Sequence, residues 1–306
     1  MADRPGSELP ALHRVALTDG RSLGYIEVGD PEGYPVVSNH GGLSSRLDVV
    51  PADASARAHG LRVISPDRPG IGASDPRPGR TMGDWASDVG ELADQLDLDR
   101  FAVMGWSFGG CFAQSVGRFL GDRVSVLALI ASGIPSDWPG MRDEIDRLDR
   151  VLLRLSERSG NQLAARSIFH LMGSAAHRLP TAFAHASGYH GASADALATA
   201  IAAGLSDPAG VVSEYQAVGA HWGFDPSEIE VPTQLWQGDG DELVPPAWAT
   251  RLHEAIPGST LTLVPGATHF LWYDQWDAIF DAITGVVRAR PDQPPKAPPP
   301  TESRTS

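Results

Sequence analysis

The sequence predicts an α/β protein, a mainly parallel sheet with helices on both faces and a helical cap inserted in its second half. Two observations carry this. Short apolar runs of strand length alternate with segments of helical period, as strand-helix-strand crossovers require. That alternation stops between residues 134 and 225, where helix-like patterns occur without a convincing strand.

In chain order, the first element reads as an antiparallel hairpin. Alternating stretches flank Asp19-Gly20, a dipeptide suited to a two-residue type I′ turn. The buried-strand runs follow at Val36-Val37-Ser38, Arg62-Val63-Ile64-Ser65, Phe101-Ala102-Val103-Met104, Val126 to Ile130, Thr233-Gln234-Leu235-Trp236 and Leu261-Thr262-Leu263-Val264. Thr81-Met82-Gly83-Asp84 resembles a capping box, and the helix it starts carries Trp85, Val89, Leu92 and Leu96 on one face. Another helix is expected after Ser107, with Phe112, Val116 and Phe119 as its apolar stripe. The cap is expected to hold helices around Arg142 to Leu155, Gln162 to Leu171 and Ala194 to Leu205. Its histidines and aromatics (His170, His185, Tyr189, His190, Tyr215, His221 and Trp222) are mostly packing and surface residues by type, with His221 and Trp222 the ones expected to reach substrate. The expected division is a flexible N-terminus over 1–10, a core over 11–133 and 226–288, the cap over 134–225, and a disordered Pro-rich tail over 289–306.

Composition narrows the function classes. Over 306 residues, 42% are hydrophobic and 20% charged, an ordinary globular balance. The formal net charge of -14 argues against a nucleic-acid duplex or an anionic membrane as partner, since both need a basic face. Cys111 is the only cysteine, which rules out an intrachain disulfide or a CxxC site. The N-terminal residues show no basic-then-apolar leader pattern, and no uncharged apolar run reaches the ~20 residues of a membrane span, so a cytoplasmic protein is expected.

The residues that carry chemistry sit just past apolar strands. Gly105-Trp106-Ser107-Phe108-Gly109 follows one strand directly and opens a helix. A serine at such a tight turn needs small neighbours, and the helix N-terminus behind it favours a developing oxyanion. The same glycines do not make a phosphate loop, because neither a Gly-Lys-Ser/Thr ending nor GxGxxG spacing is present. A serine hydroxyl needs a base, and His269 follows the last apolar run. That base needs a carboxylate to fix its tautomer, and Asp241 follows the preceding strand. Asp239 and Asp137 compete with Asp241 for this role. No HExxH, cysteine cluster or dinucleotide fingerprint is present, so neither a metal nor an organic cofactor is expected.

With these motifs in hand, the sequence resembles the α/β-hydrolase superfamily across about residues 11 to 288. The resemblance rests on Asn39-His40-Gly41-Gly42, on Asp67-Arg68-Pro69-Gly70-Ile71-Gly72-Ala73-Ser74, on the serine turn, and on Asp241 with His269 in the order Ser, Asp, His. It implies that the N–H groups of Gly42 and Phe108 form an oxyanion hole, and that Asp67 and Arg68 are structural. A serine nucleophile sets the chain apart from the dehalogenases and epoxide hydrolases of that family, which use aspartate. Its loop reads His-Gly-Gly-Leu-Ser-Ser-Arg where similar iminopeptidases usually show His-Gly-Gly-Pro-Gly, which favours esterase over peptidase activity. Leu43 and Trp106, with His221 and Trp222, are the expected substrate contacts. The expected reaction is hydrolysis of a small to medium, moderately apolar carboxylic ester through an acyl-enzyme on Ser107. Perhydrolysis, C–C bond, lactone and amide hydrolysis share the same residues, and a non-catalytic ligand-binding protein on the same fold is the alternative of another class.

Overall fold

The computed structural model describes residues 9–289. The expected N-terminal segment, apart from residues 9 and 10, and the expected Pro-rich tail beyond residue 289 lie outside them. One eight-stranded sheet forms the centre, from β1 (His13–Ala16), β2 (Ser22–Gly29), β3 (Tyr34–Asn39), β4 (Leu61–Pro66), β5 (Phe101–Trp106), β6 (Val124–Ile130), β7 (Thr233–Gly238) and β8 (Thr260–Val264). The spatial order is β1-β2-β4-β3-β5-β6-β7-β8. The β1/β2 and β2/β4 pairs are antiparallel and all others parallel. All six expected parallel strands are present.

Chain direction across the sheet reverses at β3, which lies between β4 and β5. In such sheets the crevice beyond the strand ends at the reversal is where ligands bind. The register Asn39↔Gly105 brings the segment after β3 alongside the serine turn after β5.

Helices α1 (Asp53–Ala58), α2 (Met82–Gln95) and α3 (Phe108–Phe119) connect the first strands. Thr81 caps α2 through a reciprocal bond pair with Asp84, and Trp85, Val89 and Leu92 are fully buried beneath it. Between β6 and β7 the described chain is helical, with α4 (Met141–Glu144), α5 (Arg147–Glu157), α6 (Gln162–Arg178), α7 (Pro180–Ala186), α8 (Ala194–Gly204) and α9 (Pro208–Gly219). Helix α10 (Pro246–Ala255) joins β7 to β8, and α11 (Leu271–Asp274) and α12 (Trp276–Ala289) follow β8. No single helix among the described residues is long and apolar enough to cross a membrane.

Four local expectations are corrected. The hairpin turns over three residues, Thr18-Asp19-Gly20. Leu17 N–H donates to Arg21 and Gly20 N–H to Leu17, and only Gly20 takes a positive φ, whereas type I′ would need two such residues. Strand β8 is the sheet edge and is largely exposed rather than buried. Phe119, placed on the buried stripe of α3, ends the helix half-exposed against Phe224. The helix expected over Arg142 to Leu155 breaks at Ile145-Asp146, because the Asp146 carboxylate accepts from the N–H groups of Leu148 and Asp149 and starts a new helix.

Between β6 and β7, two helices carry no expectation, α7 and α9. Helix α9 is buried nearly all round, so its sequence has no apolar stripe to read.

Candidate active site

Ser107 sits between β5 and α3 at φ 58°, ψ −125°, a backbone conformation that L-residues rarely adopt. Its neighbours allow it. A Cβ on Gly109 would lie 2.0 Å from the Asn39 carbonyl oxygen, and one on Gly105 would lie 2.3 Å from the Gly109 carbonyl oxygen. Both glycines let three backbones meet at the turn.

His269, on the loop after β8, points its Nε2 at Ser107 Oγ, 3.0 Å away, and its Nδ1 at Asp241 Oδ2, 2.9 Å away. The expected serine, histidine and aspartate thus form one hydrogen-bonded chain. The Asp241 carboxylate also accepts from the N–H groups of Leu243 and Val244 and from the Gln237 amide. Burial pushes the Asp241 carboxyl up, but the His269 imidazole beside it and these donors outweigh burial and hold it below its ordinary value. The two competing carboxylates are elsewhere. Asp239 accepts from Gly266 N–H at 2.6 Å, bracing the turn after β8, and exposed Asp137 lies 3.4 Å from His221.

Gly42 stands against Phe108, so close that a Cβ on it would lie only 2.8 Å from the Phe108 ring. Neither the Gly42 nor the Phe108 N–H is taken up by another backbone carbonyl among the described residues, and an N–H at the first turn of a helix has no intrahelical partner. Beneath them, Arg68 organises the His40-Gly41 segment. Its guanidinium donates to the His40 carbonyl at 2.6 Å and the Gly41 carbonyl at 3.1 Å, and meets His40 Nδ1 at 2.9 Å. Glu214, on α9, takes both remaining directions of Arg68 at 2.9 Å and also accepts from Arg80. All three side chains are essentially buried, and both guanidiniums lie over the Phe112 ring. Burial and the Arg68 charge hold His40 neutral, its pKa pushed down to about 3.

Asp48 supports the same segment by accepting from Gly41 N–H at 3.1 Å, while its Oδ1 has no partner. Burial pushes its carboxyl up to about 7. A folded-state value above the unfolded one means that the folded protein binds the extra proton, so this group lowers stability as pH rises through that range. Asp48→Asn is therefore expected to melt at least ~2 °C above the parent chain at pH 8, with the gap narrower at pH 5. Thermal melts of both proteins at the two pH values measure it.

Ser107 and His269 open onto a cavity whose other walls are mainly apolar, including Cys111, Met141, Ile145, Val218, Val244 and Trp248. The expected substrate contacts do not line it. Trp106 is buried behind His269, its indole N–H donating to the His269 carbonyl at 2.9 Å, so it holds the imidazole's backbone. Leu43 takes a positive φ of 61° and packs on the core. His221 is largely exposed, and Trp222 is buried with its N–H on the Val218 carbonyl. The reason is common to both: they lie beyond the C-terminus of α9, and it is Val218, inside that helix, that reaches the cavity. Asp149, on α5, does line the cavity and carried no expectation. In the sequence it is one acid among several in a charged amphipathic stretch.

Comparisons agree with this architecture. A family model described as alpha/beta hydrolase fold matches residues 34–275. The chain is 29% identical over 270 residues to a non-heme chloroperoxidase of Streptomyces lividans, covering 83% of this chain and 92% of that protein. It is 33% identical over 121 residues to a pimeloyl-[acyl-carrier protein] methyl ester esterase of Legionella pneumophila, covering 37% of this chain and 46% of that protein. Among solved structures, an enol-lactonase from Burkholderia xenovorans superposes with a TM-score of 0.66 at 20% identity, over 90% of this chain and all of the other. A thermophilic esterase from Thermogutta terrifontis gives 0.65 at 23%, over 91% and 98%. With its reversed sheet order, its strand-to-helix serine turn and a family match over most of its length, the chain belongs to the α/β-hydrolase fold family.

Proposed function

We propose that the chain hydrolyses small to medium, moderately apolar carboxylic esters through an acyl-enzyme on Ser107. The observation that carries this reading is the continuous chain from Ser107 Oγ through His269 to Asp241. His269 Nε2 takes the serine proton as Oγ attacks the ester carbonyl, and Asp241 fixes the tautomer and stabilises the imidazolium. The N–H groups of Gly42 and Phe108 meet the oxyanion. Collapse expels the alcohol, protonated by His269, and a water activated by the same imidazole then releases the acid. The mainly apolar cavity suits a short acyl or alcohol group.

A fluorophosphonate probe is expected to label Ser107 alone, and a panel of esters, lactones, amides and diketones to show fastest turnover on short esters. Labelling at another residue, or amides outpacing esters, would overturn the reading. A second reading, perhydrolysis, is favoured by the chloroperoxidase name of a relative that spans most of this chain. In it hydrogen peroxide replaces water as acyl acceptor, so peracid released from acetate and peroxide is its test.

A further inference from the structure

The cavity beside Ser107 contains one polar group that the proposed chemistry does not use. Asp149 reaches into it from α5, among walls otherwise apolar. The other polar wall groups are already occupied or inert. The Trp248 indole N–H donates to Glu144 at 2.6 Å, and burial pushes the Cys111 thiol up to about 12, keeping it neutral.

Asp149 is held in place from behind. The Tyr215 hydroxyl, on α9, donates to its Oδ1 at 2.5 Å, and the Tyr215 ring packs edge-on against Phe108, the residue after Ser107. Its own N–H is tied to Asp146 at 3.3 Å, which fixes the start of α5. Among the described residues, Oδ2 has no hydrogen-bond partner. With Oδ1 satisfied by a fixed donor, an ionised carboxylate lining the cavity has lone pairs left that can only accept hydrogen bonds. Such an acceptor favours a donor brought in by the ligand, because charge-assisted bonds are about twice as strong as neutral ones.

We propose that Asp149, positioned by Tyr215, selects substrates carrying a hydrogen-bond donor, a hydroxyl or an ammonium, a few bonds from the carbonyl that Ser107 attacks. The proposal rests on the ester-hydrolase reading for the identity of the reacting bond and adds the class of substituent. The same carboxylate disfavours substrates with a free carboxylate at that position, since two like charges would share a mainly apolar cavity. Burial, together with the nearby Asp146 carboxylate, raises the Asp149 carboxyl from its ordinary value, while the Tyr215 hydroxyl and the nearby His269 act the other way and favour its ionised form.

The test is a matched series of phosphonates that react with Ser107: ethyl p-nitrophenyl propylphosphonate and its 2-hydroxypropyl and 2-aminopropyl counterparts. In the parent chain the hydroxyl and amino probes are expected to inactivate about tenfold faster, or more, than the propyl probe. Asp149→Leu is expected to abolish that ratio. Asp149→Asn, which keeps the shape and so folds if the leucine variant does not, is expected to lose the amino preference and keep part of the hydroxyl preference. Tyr215→Phe, which frees Asp149 from its anchor, is expected to reduce both. Equal rates for the three probes in the parent chain, or ratios unchanged in all three variants, would overturn the proposal. Inactivation needs only a reactive Ser107, whereas hydrolysis also needs deacylation. Preference among the probes with no turnover of p-nitrophenyl butanoate or 3-hydroxybutanoate therefore sinks the ester-hydrolase reading and leaves the Asp149 selection standing. Turnover of both esters with no preference among the probes does the reverse.

Discussion

Ser107→Ala is expected to lower kcat on every accepted ester by ~10³ to 10⁶ while the melting temperature stays near that of the parent chain. The loss is large because no other nucleophile stands where Ser107 does. Cys111, the one thiol in the sequence, is buried and neutral. The residual rate comes from groups the substitution leaves in place, the N–H groups of Gly42 and Phe108 and the His269 imidazole, which can still act on a bound water. Stability should hold, because among the described residues the hydroxyl's only side-chain partner is His269 at 3.0 Å and alanine retains the Cβ of the strained turn. Steady-state kinetics on a short p-nitrophenyl ester, with thermal melts of both proteins, decide it. A rate within tenfold of the parent would mean that acyl transfer does not pass through Ser107.

Asp241→Asn is expected to cost up to ~10⁴ in kcat. An amide in that position can present its N–H₂ to His269 Nδ1 and so favour the tautomer whose Nε2 carries the proton, which cannot accept one from Ser107. It also removes the charge that stabilises the imidazolium. The Leu243 and Val244 N–H groups, which now point at a carboxylate oxygen, oppose the flipped amide and hold the carbonyl oxygen toward themselves, which leaves the N–H₂ facing His269. Asp239→Asn and Asp137→Asn under the same assay are expected to stay within about threefold of the parent, because neither carboxylate touches His269. A collapse in either of those variants with Asp241→Asn near the parent rate would move the acid elsewhere.

The parallel strands and the three site motifs were legible because each combines a local pattern with a position. Ser107, Asp241 and His269 each follow an apolar run, and strand ends are where a parallel sheet gathers its loops. Turn geometry was less legible, since Asp19-Gly20 fits both a two-residue and a three-residue hairpin turn and Gly20 takes a positive φ in either. The lining of the cavity was illegible for a different reason. Side-chain type alone favoured His221 and Trp222 over Asp149, and nothing local to α5 tells which of its acids turns inward. Helix α9 was invisible for the opposite cause: burial on every side erases periodicity, although Pro208 after Asp207 is an ordinary helix start. Both features concern how the helices between β6 and β7 lie over the sheet, which depends on contacts far apart in the chain.

The Arg68, Glu214 and Arg80 cluster divides those helices into two kinds. Lifting α9 away from the sheet would strand two guanidiniums and a carboxylate in a poorly solvated interior, and breaking a buried pair of this kind typically costs ~3 to 5 kcal/mol. Gly210 adds a second fastening, its backbone packed so closely on Gly70 that neither could carry a Cβ. Helix α9 is thus a standing wall of the site, joined through one arginine to the segment that bears Gly42. Helices α5 to α7 share no such buried charge with the sheet among the described residues, and this stretch exposes Leu148, Val151, Leu163, Leu171 and Leu179 on its outer surface. Among the described residues, displacing α5 to α7 would therefore strand no buried ion pair of the sheet, whereas displacing α9 would.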